Sequence, residues 1–494
     1  DMSDIQSQLQ EIVPRAAIYK GTNKSIDSTV HKTEYVTYPS NLSHVLEIGT
    51  TSSEQKVHFH VSGNCLLDGK NSYFSIQLKT NKWTSCLSGD ISSLFKRLTI
   101  SLPSSGNQIL EDIQEYNVLS SMIQYMSGSD EDLETNWYSG QSSMVGNTRE
   151  ENMETSRLDL NWNAGTDGWR TYTFSLNLSG LLQHSLYLPL FLLNGIKIEL
   201  TMSSALEALH WDPSNENDWE SVLRAVNHRF PLSEDDIDGM DGSDMISQQL
   251  KSVYRRGDPD DTPNSLTYTI RQFTYHASVI WASSEYMDRL REGVNSSKGL
   301  SLFFNAYRFN IIQPESPYVQ FNFTEQLQNL RTVLMCTLMD SHRFAQNRHS
   351  INFFSSHIDN FTFRIGSRIF HRVDNVQPAL AYVNTLVAMN RFNRYRANSV
   401  TFKNYNRERN VHIFNFERVI GDNETHSGLD TREGKLLRLE LQFKDDPLLE
   451  LKRKDSSVIS TLRRGYSYNE VKVYAFLRFT RMVNISSAGI GISE

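Results

Sequence analysis

Two stretches 241 residues apart alternate apolar and polar side chains in the same way. In IKIELTM, Ile196, Ile198, Leu200 and Met202 fall on one side and Lys197, Glu199 and Thr201 on the other; in LRLELQF, Leu437, Leu439, Leu441 and Phe443 oppose Arg438, Glu440 and Gln442. A two-residue period marks a strand with one face on a core and the other in water. The first stretch closes LYLPLFLLNGIKIELTM, the most apolar run of the chain. Twin strands call for a search for a twinned unit.

The order of segments repeats. Val57, Phe59 and Val61 alternate with His58 and His60, and Val319, Phe321 and Phe323 follow 262 residues later. Phe74, Ile76 and Leu78 correspond to the apolar run 333–338, and Leu98, Ile100 and Leu102 to Phe361, Phe363 and Ile365 at an offset of 263. Helical spacing predicts a helix over 112–126, from Ile113, Tyr116, Leu119, Ile123 and Met126. Its counterpart starts near Pro378, where a first helical turn tolerates proline, with Leu380, Val383, Leu386 and Val387 as its stripe. Strands are read at Tyr172, Phe174, Leu176 and Leu178, at 196–202 and over 266–281, where the alternation slips near Gln272 as a β-bulge would make it do. Val411 and Ile413, 437–443 and 471–479 complete the second set. Ser284 caps a short predicted helix over 285–291, and the polar GVNSSKG reads as a linker between copies.

This pattern predicts an all-β chain of two sandwiches: an N-terminal helix and arm over 1–45, a first unit over 46–298 with long insertions at about 127–168 and 203–265, and a second unit and tail over 299–494. The amphipathic stretch 3–17 supplies the helix and the Ser- and Thr-rich 18–50 the arm, read either as frayed chain or as a segment docking on a neighbour. Periodicity stops at "sandwich"; it does not choose the jelly roll over another arrangement.

Several function classes fall away. The apolar run is broken by Pro189, Asn194 and Gly195, short of the roughly 18 residues a membrane-spanning helix needs. Residues 1–20 are mixed polar and charged and do not read as a secretory leader. Cys65, Cys86 and Cys336 are too few and too scattered for a disulfide framework or a zinc site. There is no phosphate-binding glycine loop and no Gly-x-Ser-x-Gly elbow.

Three constellations invite chemistry. His58 and His60 leave one face of a strand as cupin metal ligands do, but the further glutamate and histidine are not at the right spacing, so solvent-facing histidines are expected. Glu234, Asp236, Asp238 and Gly239 imitate the start of a calcium loop, yet Met245 stands where the bidentate glutamate belongs. Arg391, Arg394, Arg396, Lys403, Arg407 and Arg409, interleaved with Phe392, Tyr395, Phe402 and Tyr405, suit either nucleic-acid stacking or pairing with acidic neighbours. The expectation is a non-enzyme with no catalytic, cofactor or metal residue.

Three segments in particular, LPLFLLNGIKIELTM, YTIRQFTYHASVIWASSEYMDRLREG and FNFERVIGDNETHSGLDTREGKLLRLELQF, resemble the double jelly-roll major capsid proteins of the adenovirus and tectivirus lineage. KVHFHVSGNCLLDGKNSYFSIQLKT, followed by LFKRLTISL, is similar to that lineage's polinton, virophage and polinton-like or adinto-type members. The resemblance implies two tandem eight-stranded jelly rolls with short helices and long insertions. It also implies a homotrimeric capsomer of pseudo-hexagonal outline that tiles an icosahedral shell. Implied partners are further copies, minor capsid, penton or cement proteins, and weak contact with the genome or an internal membrane on the inner face.

Charge fits that layout: 126–168 holds nine acidic and two basic side chains and 205–265 fourteen and five, while the whole chain is −8, leaving the remainder about +8. Trp137, Trp162, Trp211 and Trp219 in these insertions are expected to pack under them or between subunits. Two other readings stay open: a capsid-scaffolding trimer of poxvirus type and a glycan-binding attachment sandwich.

Overall fold

The computed structural model describes residues 30–42, 44–50, 54–81, 86–88, 90–127, 169–184, 186–210, 266–295, 299–339, 353, 358–374, 378–389, 402–405, 410–417, 428–432, 436–443 and 471–493. The first half holds β1 (Val30–Pro39), β2 (Leu46–Ile48), β3 (Lys56–Val61), β4 (Leu66–Thr80), β5 (Cys86–Leu87), β6 (Phe95–Leu102), β7 (Gln108–Gln114), β8 (Arg170–Phe174), β9 (Leu188–Pro189), β10 (Ile196–Met202), β11 (Leu209–His210) and β12 (Tyr268–Ala282). The second half holds β13 (Leu300–Ile312), β14 (Tyr318–Asn322), β15 (Leu330–Met339), β16 (Ile358–Ile365), β17 (Arg368–Asp374), β18 (Val411–Asn415), β19 (Leu437–Phe443), β20 (Val471–Ser486) and β21 (Gly489–Ser493).

Strand order makes each half a jelly roll. The first pairs β1-β12-β4-β8 in one sheet and β3-β10-β6-β7 in the other; the second pairs β13-β20-β15-β18 and β14-β19-β16-β17. Counting the eight principal strands of each half in chain order, both give 1-8-3-6 facing 2-7-4-5, all antiparallel.

The twin strands β10 and β19 are the seventh of each copy and sit inside their sheets. Phe59 lies opposite Ile198, and Phe321 opposite Leu439; Ile100 and Phe363 take the other side. Ile196, Ile198, Leu200, Leu437, Leu439 and Leu441 are buried. Each such side chain contributes about 1.5–3 kcal/mol on leaving water. Across the first sandwich they meet an aromatic cluster in which Phe59 packs edge-on against Phe74 and Phe273, and Phe95 lies tilted against Phe174. In the second, Phe361 and Phe363 pack on Phe414.

The slip near Gln272 is a bulge. The β12–β4 register shifts between Arg271 and Thr274, and Gln272 adopts a left-handed φ of 49°. Before the bulge Tyr268 and Ile270 are buried; after it Phe273, Tyr275, Ala277 and Val279 are, so the extra residue moves the inward face from even to odd positions.

Four local expectations are corrected. The stretch expected to be helical from 112 is strand β7 up to Gln114, and the helix runs Tyr116–Ser127, with Glu115 at φ 50° between them. Ile113 pairs with Leu98, and Asp112 takes both Nε (2.6 Å) and Nη2 (2.8 Å) of Arg97, so cross-strand partners override the helical spacing. Within the expected arm, 30–39 is the edge strand β1, and Val36 and Tyr38 turn inward while Tyr35 and Thr37 face out. The predicted helix over 285–291 extends over Ser284–Asn295, taking in the start of the expected linker, and Ser283 rather than Ser284 accepts its first N–H, from Tyr286. Leu176 and Leu178 are buried in a turn after β8 rather than in the strand. The N-terminal helix, the four loop tryptophans and most of both insertions lie outside the described residues.

An L residue held left-handed at the bulge stores strain. Gln272→Gly is expected to stabilise the chain by about 1 kcal/mol and Gln272→Val to destabilise it, read as opposite shifts of the thermal midpoint.

Candidate assembly surface

Where the two jelly rolls meet, polar contacts join them beside a buried apolar cluster that contains residues of both. Strand β7 of the first packs beside β13, the edge strand of the second. Glu111, at the middle of β7, is wholly buried and accepts hydrogen bonds from Ser179 Oγ (2.5 Å), Gly180 N (2.7 Å) and Leu181 N (3.4 Å). From the second jelly roll Arg481 donates through Nη1 to Leu110 O (2.5 Å), and Gln108 Nε2 donates to Ile490 O (3.3 Å). His184 Nε2 lies 2.8 Å from Phe303 O on β13.

Backbone meets backbone at one point. A Cβ added at Gly180 would stand 1.9 Å from Asn305 O, and one at Gly69 would stand 2.1 Å from Leu182 O. The turn 180–182 is therefore wedged between β4 and β13, and only glycine fits at either contact.

Burial pushes the Glu111 carboxyl up to about 7, against the pull of Ser179, Gly180, Leu181 and Arg481. Burial also lowers Arg481, to about 10, helped by Arg308 and opposed by Glu111 and Asp112. Nothing in the sequence flagged this cluster: Glu111 stands just before the stretch expected to be helical, and Arg481 lies 370 residues further on.

The residues weighed for chemistry are placed as follows. His58 and His60 share the outer face of β3 with ring centres 5.2 Å apart, His58 opposite Glu199 and His60 opposite Lys197. Glu199 is held by Lys197 (2.7 Å) and Lys56 (3.0 Å), so cations rather than a third ligand surround the pair. Partial burial first, then Lys197 and His60, depress the His58 pKa. Among the described residues no three His, Cys, Asp or Glu side chains converge as metal ligands. Cys65 and Cys336 are buried and in no disulfide, and burial raises the Cys65 thiol to about 11. Glu234, Asp236, Asp238 and the arginines at 391, 394, 396, 407 and 409 lie outside the described residues. Tyr405 is buried, packed on Tyr382 and bonded to His412 Nδ1, while Phe402 is exposed.

One exposed aromatic patch stands out on the first jelly roll. Tyr35, 60% exposed, tilts against Tyr73 at 5.9 Å, and Tyr73 stacks on His276 at 4.8 Å.

No protein-family model matches the sequence, and no curated protein matches it either. Solved structures do match. The Faustovirus major capsid protein aligns with a TM-score of 0.57 at 8% identity over 98% of this chain and 94% of that one. A quasi-atomic model of the PBCV-1 virus capsid gives 0.53 at 10% identity over 94% and 96%, and the Sputnik virophage structure 0.52 at 10% over 97% and 92%. The fold is the double jelly roll of viral major capsid proteins. In this double jelly roll the described residues supply all eight principal strands of each copy, and the junction at Glu111 and Gly180 sets how one copy stands against the other.

Two outcomes test the junction. Gly180→Ala is expected to cost at least about 1–3 kcal/mol, seen as a lowered thermal midpoint, because the methyl meets backbone rather than a movable side chain. Glu111 is raised from its ordinary 4.5 to about 7, so the folded chain holds its proton more tightly. That stabilisation is complete below about pH 4.5 and is lost as pH rises through 7, a change on the order of 3 kcal/mol. Glu111→Gln is expected to flatten this pH dependence of the midpoint between pH 5 and 8; an unchanged slope would assign it to other groups.

Proposed function

We propose that this chain is a viral major capsid protein whose homotrimers, of pseudo-hexagonal outline, tile an icosahedral shell. The observation that carries the reading is the tandem pair of jelly rolls of identical strand order, matched along nearly the whole of this chain and of solved capsid proteins. The chain divides near residue 298 into its two units, and it resides in the virion. Six similar sandwiches from three chains supply a near-sixfold outline, which lets one kind of tile cover a shell by closed, repeated contacts. Minor capsid, penton or cement proteins fill the gaps between tiles, and the mildly basic remainder of the chain faces genome or membrane inside. No residue is assigned a catalytic role.

Light scattering on the purified protein is expected to give a mass of three chains that resists dilution and salt, and electron microscopy particles of hexagonal outline. Recovery of the chain in purified virions separates a shell protein from a scaffold that leaves. A monomer at every concentration, with binding on a glycan array, would replace the capsid reading by the attachment one.

A further inference from the structure

The second strand of each jelly roll, β3 or β14, is the outer strand of its four-stranded sheet and is paired on one side only, with β10 or β19. The free edge is treated differently in the two copies. Glu199 and Glu440 hold the same place on the twin strands, so His58, opposite the first, corresponds to Gln320, opposite the second.

Hydrogen bonds at the ends of these strands show which backbone groups point away from the sheet. Met202 N donates to Gln55 O (2.8 Å) in the first copy; in the second, Phe443 N donates to Pro317 O (2.7 Å) and Phe323 N to Leu437 O (2.9 Å). Antiparallel pairs alternate between bonded and non-bonded, so the N–H and C=O of His58, and those of Tyr318, Gln320 and Asn322, face outward. In the first copy the outward groups of His58 are taken. Asn41 N donates to His58 O (3.1 Å), and His58 N donates to Asn41 Oδ1 (2.8 Å). Leu42 follows and packs on the core, and Val57, Phe59 and Val61 are wholly buried.

The second copy lacks the chain for such a cover. Sixteen residues, 40–55, separate β1 from β3, whereas five, 313–317, separate β13 from β14. Among the described residues nothing pairs with the N–H or C=O of Gln320, whose side chain donates to Tyr318 Oη (2.9 Å), and Tyr318 O takes the Ser316 hydroxyl. Val319 and Phe321 are only half-buried, and Tyr318 is 50% exposed. Sheet edges left in water are commonly guarded by lysine, proline or a bulge. Strand β14, YVQFN, has no charged residue and no proline, and its register on β19 is unbroken.

Acid stands at both ends of this edge. Glu315, three residues before Tyr318, is exposed. Glu325, three residues after Asn322, accepts Asn310 Nδ2 at Oε1 (2.9 Å), while its Oε2 is buried with no hydrogen-bond partner among the described residues. The two carboxylates decide between occupants. A second copy adding its own β14 about a two-fold axis at Gln320 would bring Glu315 of one chain toward Glu325 of the other at both ends, a like-charge contact. A peptide with cationic ends meets the same carboxylates with opposite charge.

We propose that the free edge of β14 is a docking site for an extended segment of another protein, which adds to the β14-β19-β16-β17 sheet as a further strand. Its backbone pairs with Gln320 as Asn41 pairs with His58, its aliphatic side chains cover Val319 and Phe321, and a lysine or arginine at its end meets Glu325. Strand addition takes its affinity from main-chain hydrogen bonds and its selectivity from alternate side chains. The inference stands on the register of the second jelly roll and goes beyond the capsid reading, which is tested separately by the mass of the trimer.

The probe is a fluorescein-labelled peptide in which threonine alternates with valine between two terminal lysines. Fluorescence anisotropy is expected to show saturable binding to the full chain, weaker by at least about tenfold when both lysines are replaced by glutamate. Gln320→Pro removes an N–H that points away from β19, at an edge position where proline is tolerated, so the thermal midpoint is expected to hold while peptide binding weakens by at least about tenfold. Glu325→Gln keeps the acceptor for Asn310 and removes the charge, and is expected to narrow the difference between the two peptides. Absence of binding at millimolar peptide, or binding that neither substitution changes, overturns the site. A wild-type mass that falls on Gln320→Pro with no peptide present assigns the edge to a second copy and overturns the peptide as its occupant.

Discussion

The apolar face of the seventh strand of each jelly roll is the constraint on which the rest depends. β10 and β19 are paired on both sides, so their side chains must find cover from the opposite sheet rather than from a neighbour in their own. Ile196, Ile198 and Leu200, with Leu437, Leu439 and Leu441, do so against aromatic clusters carried by the facing strands. A two-residue period leaves no freedom of register once that face is buried, since a one-residue slip would send every leucine and isoleucine into water. The bulge at Gln272 shows the same rule at work: where β12 needs one more residue, the chain accepts a left-handed backbone to return Phe273 and Tyr275 to the core.

Joining the two sandwiches raises a different problem, because a jelly roll's edge strands carry unpaired backbone groups. The junction adds polar contacts to a buried apolar cluster that runs through both halves. Leu110 O and Phe303 O receive donors from the other jelly roll, and the turn at Gly180 presses directly on Asn305. Contacts of this kind fix orientation more than they add stability, since a buried carboxylate such as Glu111 gives back in desolvation much of what its hydrogen bonds contribute. A defined orientation of one half against the other is what the junction supplies.

Much of the architecture was legible in the chain itself. The offsets of 262 and 263 between second and fourth strands, and of 241 between seventh strands, matched positions that occupy equivalent registers, because alternation over five to seven residues reports directly on which side chains face a core. The first and fifth strands were not legible. β1 is diluted by Thr and Lys at an edge, and β7 mimics a helix through the accidental spacing of Ile113 and Tyr116. The junction was invisible for a deeper reason: Glu111, Gly180, Asn305 and Arg481 are unremarkable in their own neighbourhoods, and only the approach of two completed sandwiches brings them together. Local periodicity therefore determined the strands and their duplication, whereas the burial of a carboxylate, the need for glycine at 180 and the exposure of Tyr35 are decided by long-range packing, which no local pattern encodes.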